Sequence, residues 1–470
     1  MIKTTLTSNV PTTYVVGNVT LGLITTIIGW PSPAGTSEVT AHEAAYNHGD
    51  ISQNTAHRNN TNNPHGVTTT QIGAIPNTVD IGRIMNPLVH LPLKHAEEIT
   101  GTQAAAGAKY SGTASFTRAS TATYIDPLDG LLKTAAIDTP RFERMADGGV
   151  GLLVEGSSTN LLLQSAAFDT TSWTKGAGAT VTANTGTAPD GTATADKITF
   201  PDGANVPYIY QIPTASTWDN RTFTFSMWIR RVSGSGTITI RIGDAGEADS
   251  TSKDITASLT TSWQRFYITT TYNAGTTNNN SVWVFRSGSV GLDEIEVWGA
   301  QLEELPFASS YIPTTTAAVT RAADDFSISL PFNIVDGSYT VLYDVERDPN
   351  SKGTRIDIRA DSVSNVFASE WDDGSGNSKY YFTTTALYTG VVSNAVTATG
   401  FVSDGTNVKL YLDNVLKATG SYSKPATQNA SSGLIGLNRQ VFGGTSIGSC
   451  LLRNLRIYDV ALTDEEMKVA

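Results

Sequence analysis

Residues 222–231 read TFTFSMWIRR, and this stretch decides the fold class. Phe223, Phe225, Met227 and Ile229 fall at every second position, with Thr224, Ser226, Trp228 and Arg230 between them. A period of two marks a β-strand with one face turned to a core. The flanking sequence repeats the pattern. TITIRIG (237–243), WQRFYITTTY (263–272), SVWVFRSG (281–288) and DEIEVWGAQLE (293–303) read as further strands, divided by Gly, Ser and Asn clusters. Short strands separated at short intervals by turn residues are the pattern of a sandwich. Residues 161–312 are therefore expected to form one β-sandwich.

Residues 313–470 carry the same signature in SYTVLYDVER, TRIDIRAD, KYYFTTT, VTATGFVSD, NVKLYLDNVLKAT and SCLLRNLRIYDV. Within them, Asp413-Asn414 predicts a two-residue hairpin, because both residue types tolerate the positive φ of a type I′ turn. Thr463-Asp464-Glu465-Glu466 predicts a capped helix start, with Thr463 as N-cap and Glu466 as the returning carboxylate. The fold class is thus mainly β, with two jelly-roll-like sandwiches in sequence.

Composition agrees with this reading. The chain has 470 residues, only 16% charged, with 42 Gly. That length is enough for several cores. A net charge of −12 with scattered lysines and arginines excludes the basic face of a nucleic-acid binder. The single cysteine, Cys450, excludes an internal disulfide framework and a Cys-cluster zinc site. No secretory signal is read at the N-terminus. The apolar stretch YVVGNVTLGLITTIIGW (14–30) is β-branched and short, so it is read as buried strands and no membrane span is expected.

The remaining sequence divides into two segments. Residues 1–100 hold all six histidines, His42, His48, His57, His65, His90 and His95, and a stretch almost free of large apolar side chains. Such a stretch cannot bury a core alone. It is either a flexible linker or a segment ordered by neighbouring copies of itself. Residues 101–160 alternate short strand-like pieces with turn signals at Asp126-Pro127, Asp129-Gly130 and Asp147-Gly148-Gly149. No long-period repeat is evident, which excludes a parallel β-helix.

Asn63-Pro64-His65-Gly66-Val67-Thr68, followed by Gln71-Ile72-Gly73-Ala74, resembles bacteriophage tail fibres. FTRASTATYIDPLDGLLKTAAIDTPRFER and GLLVEGSSTNLL resemble a segment of phage tail and minor structural proteins over roughly fifty residues. The third region resembles the carbohydrate-binding jelly rolls of such fibres at Trp173-Thr174-Lys175-Gly176, at Ala188-Pro189-Asp190-Gly191 with Ala195-Asp196-Lys197-Ile198, and at Phe225-Ser226-Met227-Trp228. Ala300-Gln301-Leu302-Glu303-Glu304 and Ser310-Tyr311-Ile312-Pro313-Thr314 add to that likeness. The fourth region is similar to laminin-G-like or concanavalin-like sandwiches at the Asp413-Asn414 hairpin and at 455–463, without the acidic ligand set of the calcium-binding members. The resemblance implies four parts. They are a virion-attachment and trimerisation segment (1–100), a tail-fibre linker segment with short strands (101–160), a carbohydrate-binding-like sandwich (161–312) and a laminin-G/concanavalin-like sandwich (313–470). It further implies a homotrimer on the virion, made in the host cytoplasm and joined to tail or baseplate proteins through its N-terminus.

Sugar binding uses aromatic rings that stack on pyranose faces, with Arg, amides or carboxylates bonding the hydroxyls. Trp228 is the leading candidate, beside Arg230 on the strand face opposite Phe223 and Phe225. Trp173 and Trp218 lie in loop-like contexts that suit a site rim, and Tyr208 and Tyr210 share a strand face. Glu294 and Glu296, with Trp298, share another, about 7 Å apart, a spacing near what glycosidases use for acid–base work, although a solvated strand face is the simpler reading. Asp372-Asp373 reads as an acidic turn. His57 and His65 would recur about the axis of a trimer, yet no His-x-His pair is present, so polar spacers are the simpler reading and no metal site is assigned. No phosphate loop, nucleophile elbow or cofactor motif is found. The expected function is host-surface glycan recognition without catalysis. The alternatives are a structural collar, neck or baseplate fibre and a polysaccharide depolymerase.

Overall fold

The computed structural model describes residues 89–91, 93, 101–102 and most of 113–470. Residue 204 and segments 214–217, 244–248, 275–279, 289–290, 331–337, 348–351, 360–365, 374–376, 383–384, 392–394, 422–432 and 438–447 fall outside the described residues. Five of the six histidines, the Asn63–Ala74 resemblance and the 14–30 stretch also lie outside them. The described chain is mainly β. Its α-helix is the four-residue Asp464–Met467, where Thr463 and Glu466 close the expected capping box in both directions. Among the described residues no helix is long and apolar enough to cross a membrane.

The first sandwich stacks two antiparallel five-stranded sheets. One has the order Thr180–Gly186, Ala195–Phe200, Asp293–Glu303, Thr222–Ser233, Gln264–Thr271. The other has the order Thr251–Asp254, Thr237–Ile242, Val282–Ser287, Tyr208–Gln211, Thr174–Gly176. The strands expected from alternation are all present. Phe223, Phe225, Met227 and Ile229 are completely buried and meet Ile238, Ile240, Val282 and Val284 from the facing sheet. Burial of each such side chain contributes about 1.5–3 kcal/mol.

The second sandwich draws on both ends of the described chain. Its first sheet runs Val415–Ser421, Asn407–Leu412, Thr397–Ser403, Tyr339–Arg347, Ser449–Tyr458, Val150–Glu155, Arg141–Arg144. Val89–Leu91 also pairs with Ser449–Tyr458. Its second sheet includes Thr113–Thr117 beside Asp325–Leu330, followed by Gly433–Leu437, Lys352–Arg359, Val366–Asp373, Asn377–Phe382 and Thr385–Val391. Asp372 and Asp373 therefore end a strand. Asp413 and Asn414 take φ of 51° and 62°, the type I′ turn the sequence predicts.

Segment 101–160 thus runs inside these sheets. Phe116, Phe142, Leu152 and Val154 enter one core with Phe326, Val341, Phe401 and Ile457. The 161–312 sandwich is an insertion in this second one. The chain leaves along Ser158–Asn160 and returns along Val319–Arg321, and these two strands pair antiparallel as a stem.

A buried charge cluster cements the base of the stem. Asp324 accepts from Arg118 Nη1 at 3.0 Å, from Arg141 Nη2 at 2.6 Å and from the Glu155 amide at 2.8 Å. Arg141 Nη1 reaches Glu155 Oε2 at 2.8 Å, and Arg321 lies 3.6 Å from the same oxygen. Burial opposes the Glu155 charge, but Arg321, Arg141 and the Ser310 hydrogen bonds outweigh it and hold the carboxyl down at about 2.

Candidate functional site

The outer face of the sheet containing Tyr208–Gln211 carries a row of half-buried aromatic side chains. Alternation puts it there. Ile209, Val282, Val284, Ile240 and Ile242 point inward and are completely buried, so Tyr208, Tyr210, Trp283, Phe285 and Arg241 point outward. The register sets Tyr210 opposite Trp283, Tyr208 opposite Phe285, and Trp283 opposite Arg241. Tyr210 stacks on Trp283 with centroids 4.3 Å apart and an interplanar angle of 20°. The Tyr208 ring meets Trp283 edge-on at 5.0 Å. The Arg241 guanidinium lies between Trp283, at 5.1 Å, and Phe285, at 4.7 Å. Such cation–π contacts hold a charge on an aromatic surface.

Tyr208 differs from its neighbours. Its ring lies across Gly176 on the adjacent strand, so close that a Cβ there would sit 2.1 Å from Cζ. Only glycine permits that approach. One ring face is thereby pressed on backbone. Neither the Tyr208 nor the Tyr210 hydroxyl has a hydrogen-bond partner among the described residues, whereas the Trp283 indole donates to Ser281 Oγ at 2.6 Å. The patch offers apolar rings, two phenolic hydroxyls and a guanidinium, which is the chemistry of sugar recognition.

Tyr208 and Tyr210 are the sequence candidates that the structure brings together. The others lie elsewhere. Trp173 and Trp218 are 1% and 2% exposed, which corrects their expected place on a rim. Trp173 packs on Phe168, and Trp218 stacks on Phe223, so neither offers a ring face. Trp228 is 7% exposed, because its sheet face is also covered. It packs with Trp298, Tyr311 and Leu132 under the Ala122–Ile125/Leu132–Ala135 hairpin. The strand bulges opposite it at Gly299, whose φ of +65° and close approach to the Trp228 ring both require glycine. Arg230 turns its fork onto Glu296, with Nε 2.6 Å and Nη2 2.5 Å from Oε2.

The Glu294/Glu296 pair is likewise engaged. Lys197 bonds Glu294 at 2.8 Å and holds its carboxyl below the ordinary range, while Arg230 neutralises Glu296. Each of the two carboxylates is therefore held by a cation on a neighbouring strand. Trp283, Phe285 and Arg241 were within reach of the sequence, since SVWVFRSG alternates as cleanly as 222–231. Among the described residues no group of three or more His, Cys, Asp or Glu side chains is arranged to hold a metal ion.

Residues 308–468 match the family model described as the Concanavalin A-like lectin/glucanases superfamily. This match covers the C-terminal, lectin-like sandwich from Asp325–Leu330 onward and leaves out its strands between 89 and 155. None of the curated proteins matches the chain. Among solved structures, domain 4 of an extracellular arabinanase from Geobacillus stearothermophilus, in complex with arabinotriose, is 21% identical. That alignment covers 35% of this chain and 81% of that one, with a TM-score of 0.25. The receptor-binding domain of a botulinum neurotoxin C/D mosaic serotype is 12% identical, over 31% of this chain and 40% of that one, with a TM-score of 0.25. A mutant Trypanosoma rangeli sialidase displaying trans-sialidase activity is 15% identical over 28% and 22%, with a TM-score of 0.25. The chain thus spans less than half the length of the sialidase and the neurotoxin domain.

Proposed function

We propose that this chain binds glycans through the aromatic row on the inserted sandwich and serves as the host-surface recognition part of a phage tail fibre. The observation that carries the binding reading is the patch itself. Tyr208, Tyr210, Trp283, Phe285 and Arg241 converge on one outer sheet face, and two phenolic hydroxyls there are unpartnered among the described residues. The lectin-like sandwich supports the same class of ligand. The phage assignment rests on the sequence resemblance of 63–74, 116–144 and 151–162, and the trimer and the virion location belong to that assignment. A single shallow sugar site is weak, and several copies on one fibre raise avidity strongly. The proposed role is adhesion, not catalysis.

The stacking of Tyr210 on Trp283 favours a second reading, a structural fibre whose aromatic row is only sheet packing. One experiment separates the two. Full-length chain is titrated onto host cells with extracted surface polysaccharide as competitor, beside the Tyr208→Ala and Trp283→Ala variants. Saturable binding, competed by polysaccharide and weakened about tenfold or more in the variants, supports adhesion. Absence of binding by a folded chain supports the structural reading.

A further inference from the structure

The two sandwiches meet around a cleft of about 440 Å³, on the opposite side of the inserted sandwich from the aromatic row. The size falls within the range of small-ligand sites. Both sandwiches contribute to it. Trp228 and Arg265 come from the insertion, Glu143 and Glu346 from the lectin-like sandwich, and Tyr124 and Tyr311 from the covering segments.

Two of its charged groups line the cleft without forming an ion pair with each other. Glu143 accepts the Ile125 amide on Oε1 at 2.7 Å, and its second oxygen has no hydrogen-bond partner and no paired cation among the described residues. Arg265 donates to the Ser309 carbonyl at 2.6 Å and to Ser226 Oγ at 3.0 Å, and its guanidinium lies 4.6 Å over the Trp228 ring. Its Nε is buried without a partner. A buried donor left unmade is costly, so such a group calls for an explanation. Burial pushes the Glu143 carboxyl up to about 7, so near neutrality it can donate or accept.

The mixture of groups selects the ligand class. Carboxyl groups (Glu143, Glu155, Glu346) and guanidinium groups (Arg265, Arg347) both line the cleft, so charge alone favours neither an anion nor a cation. Aromatic walls and a carboxyl that both donates and accepts suit a neutral ring bearing hydroxyls. We propose that this cleft is a second saccharide site, which takes a neutral monosaccharide or disaccharide unit between the two sandwiches. Glu143 and Arg265 bond its hydroxyls, and Tyr124 flanks its apolar face. The site is independent of the aromatic row.

The test uses the full chain carrying Tyr208→Ala and Trp283→Ala, so that binding at the row does not contribute. The probes are methyl glucoside, methyl galactoside, methyl mannoside, methyl rhamnoside and N-acetylglucosamine, each at millimolar concentration, read by saturation-transfer NMR. Two further variants are compared by thermal melting to confirm folding. Glu143→Gln keeps the shape of the side chain and removes its titration, and Ala308→Trp fills the cleft from a half-buried position on its wall. The expected result is saturable binding of at least one probe, reduced about tenfold by Ala308→Trp and severalfold by Glu143→Gln at neutral pH. No saturable signal from any probe overturns the proposal. So does binding that Ala308→Trp leaves unchanged.

Discussion

Replacing Asp324 by Ala would test whether the charge cluster at the base of the stem holds the two sandwiches together. The Asp324 side chain has no solvent exposure, nor do those of Arg118 and Arg141. Truncation removes the acceptor of three hydrogen bonds, from two guanidinium groups and the Glu155 amide. It also changes the local balance. Three cations, Arg118, Arg141 and Arg321, face two carboxylates in the native protein and would face Glu155 alone in the variant. Breaking a buried ion pair by removing one partner costs about 3–5 kcal/mol, because the remaining charge stays buried. The expected cost for Asp324→Ala is in that range, with Asp324→Asn costing less, since it keeps one acceptor. Urea unfolding of wild type and both variants, followed by tryptophan fluorescence, measures it as a shift in midpoint at constant slope. Hydrogen exchange at 158–160 and 319–321 should accelerate in parallel. A cost below about 1 kcal/mol for Asp324→Ala would refute the reasoning and reduce the cluster to the value of a surface ion pair.

Three further outcomes are expected. The Glu143 carboxyl, raised from 4.5 to about 7 by burial, with Glu155, Arg141 and Arg265 facing it, makes folding less favourable as pH rises through that window. Glu143→Gln should therefore stabilise by up to about 3 kcal/mol above pH 7 and by nothing below about pH 4.5, measured as urea midpoints across pH. Gly176→Ala places a Cβ where the Tyr208 ring lies, so polysaccharide affinity should fall severalfold while the melting temperature holds within a few degrees. Affinity unchanged by that substitution would remove Tyr208 from the site. At Asn414, with φ of 62°, glycine should stabilise slightly and valine should cost about 1–2 kcal/mol, read by thermal unfolding.

The sequence exposed the strands because their alternation is local. Each of the five strands named between 222 and 303 forms, and so do the 413–414 turn and the 463–466 cap, all of which depend on residues a few positions apart. What covers a strand's outer face is not local. Trp228 and Phe225 carry the same kind of pattern, but Trp228 is buried by the 122–135 hairpin, about a hundred residues upstream. Trp218 sits among turn residues in the sequence and still finds a place between Phe223 and Tyr272. The fate of 101–160 was hidden for the same reason. Its short strands are legible, but their partners at Ser449–Tyr458 and Asp325–Leu330 lie some two hundred residues or more away. Tyr208 and Tyr210 share a face that alternation alone defines, and among the described residues both stay half-buried.

The paired strands Ser158–Asn160 and Val319–Arg321 bring the two ends of the inserted sandwich to within about 5 Å of each other. To the lectin-like sandwich, everything between them is the loop of one β-hairpin. The entropy of closing a loop grows only slowly with its length. Any domain whose own termini lie side by side therefore satisfies the same geometric requirement. The stem is a socket. Recombination at its two strands can exchange the inserted domain while the host sheets and their core stay as they are, so insert and scaffold are free to evolve at different rates.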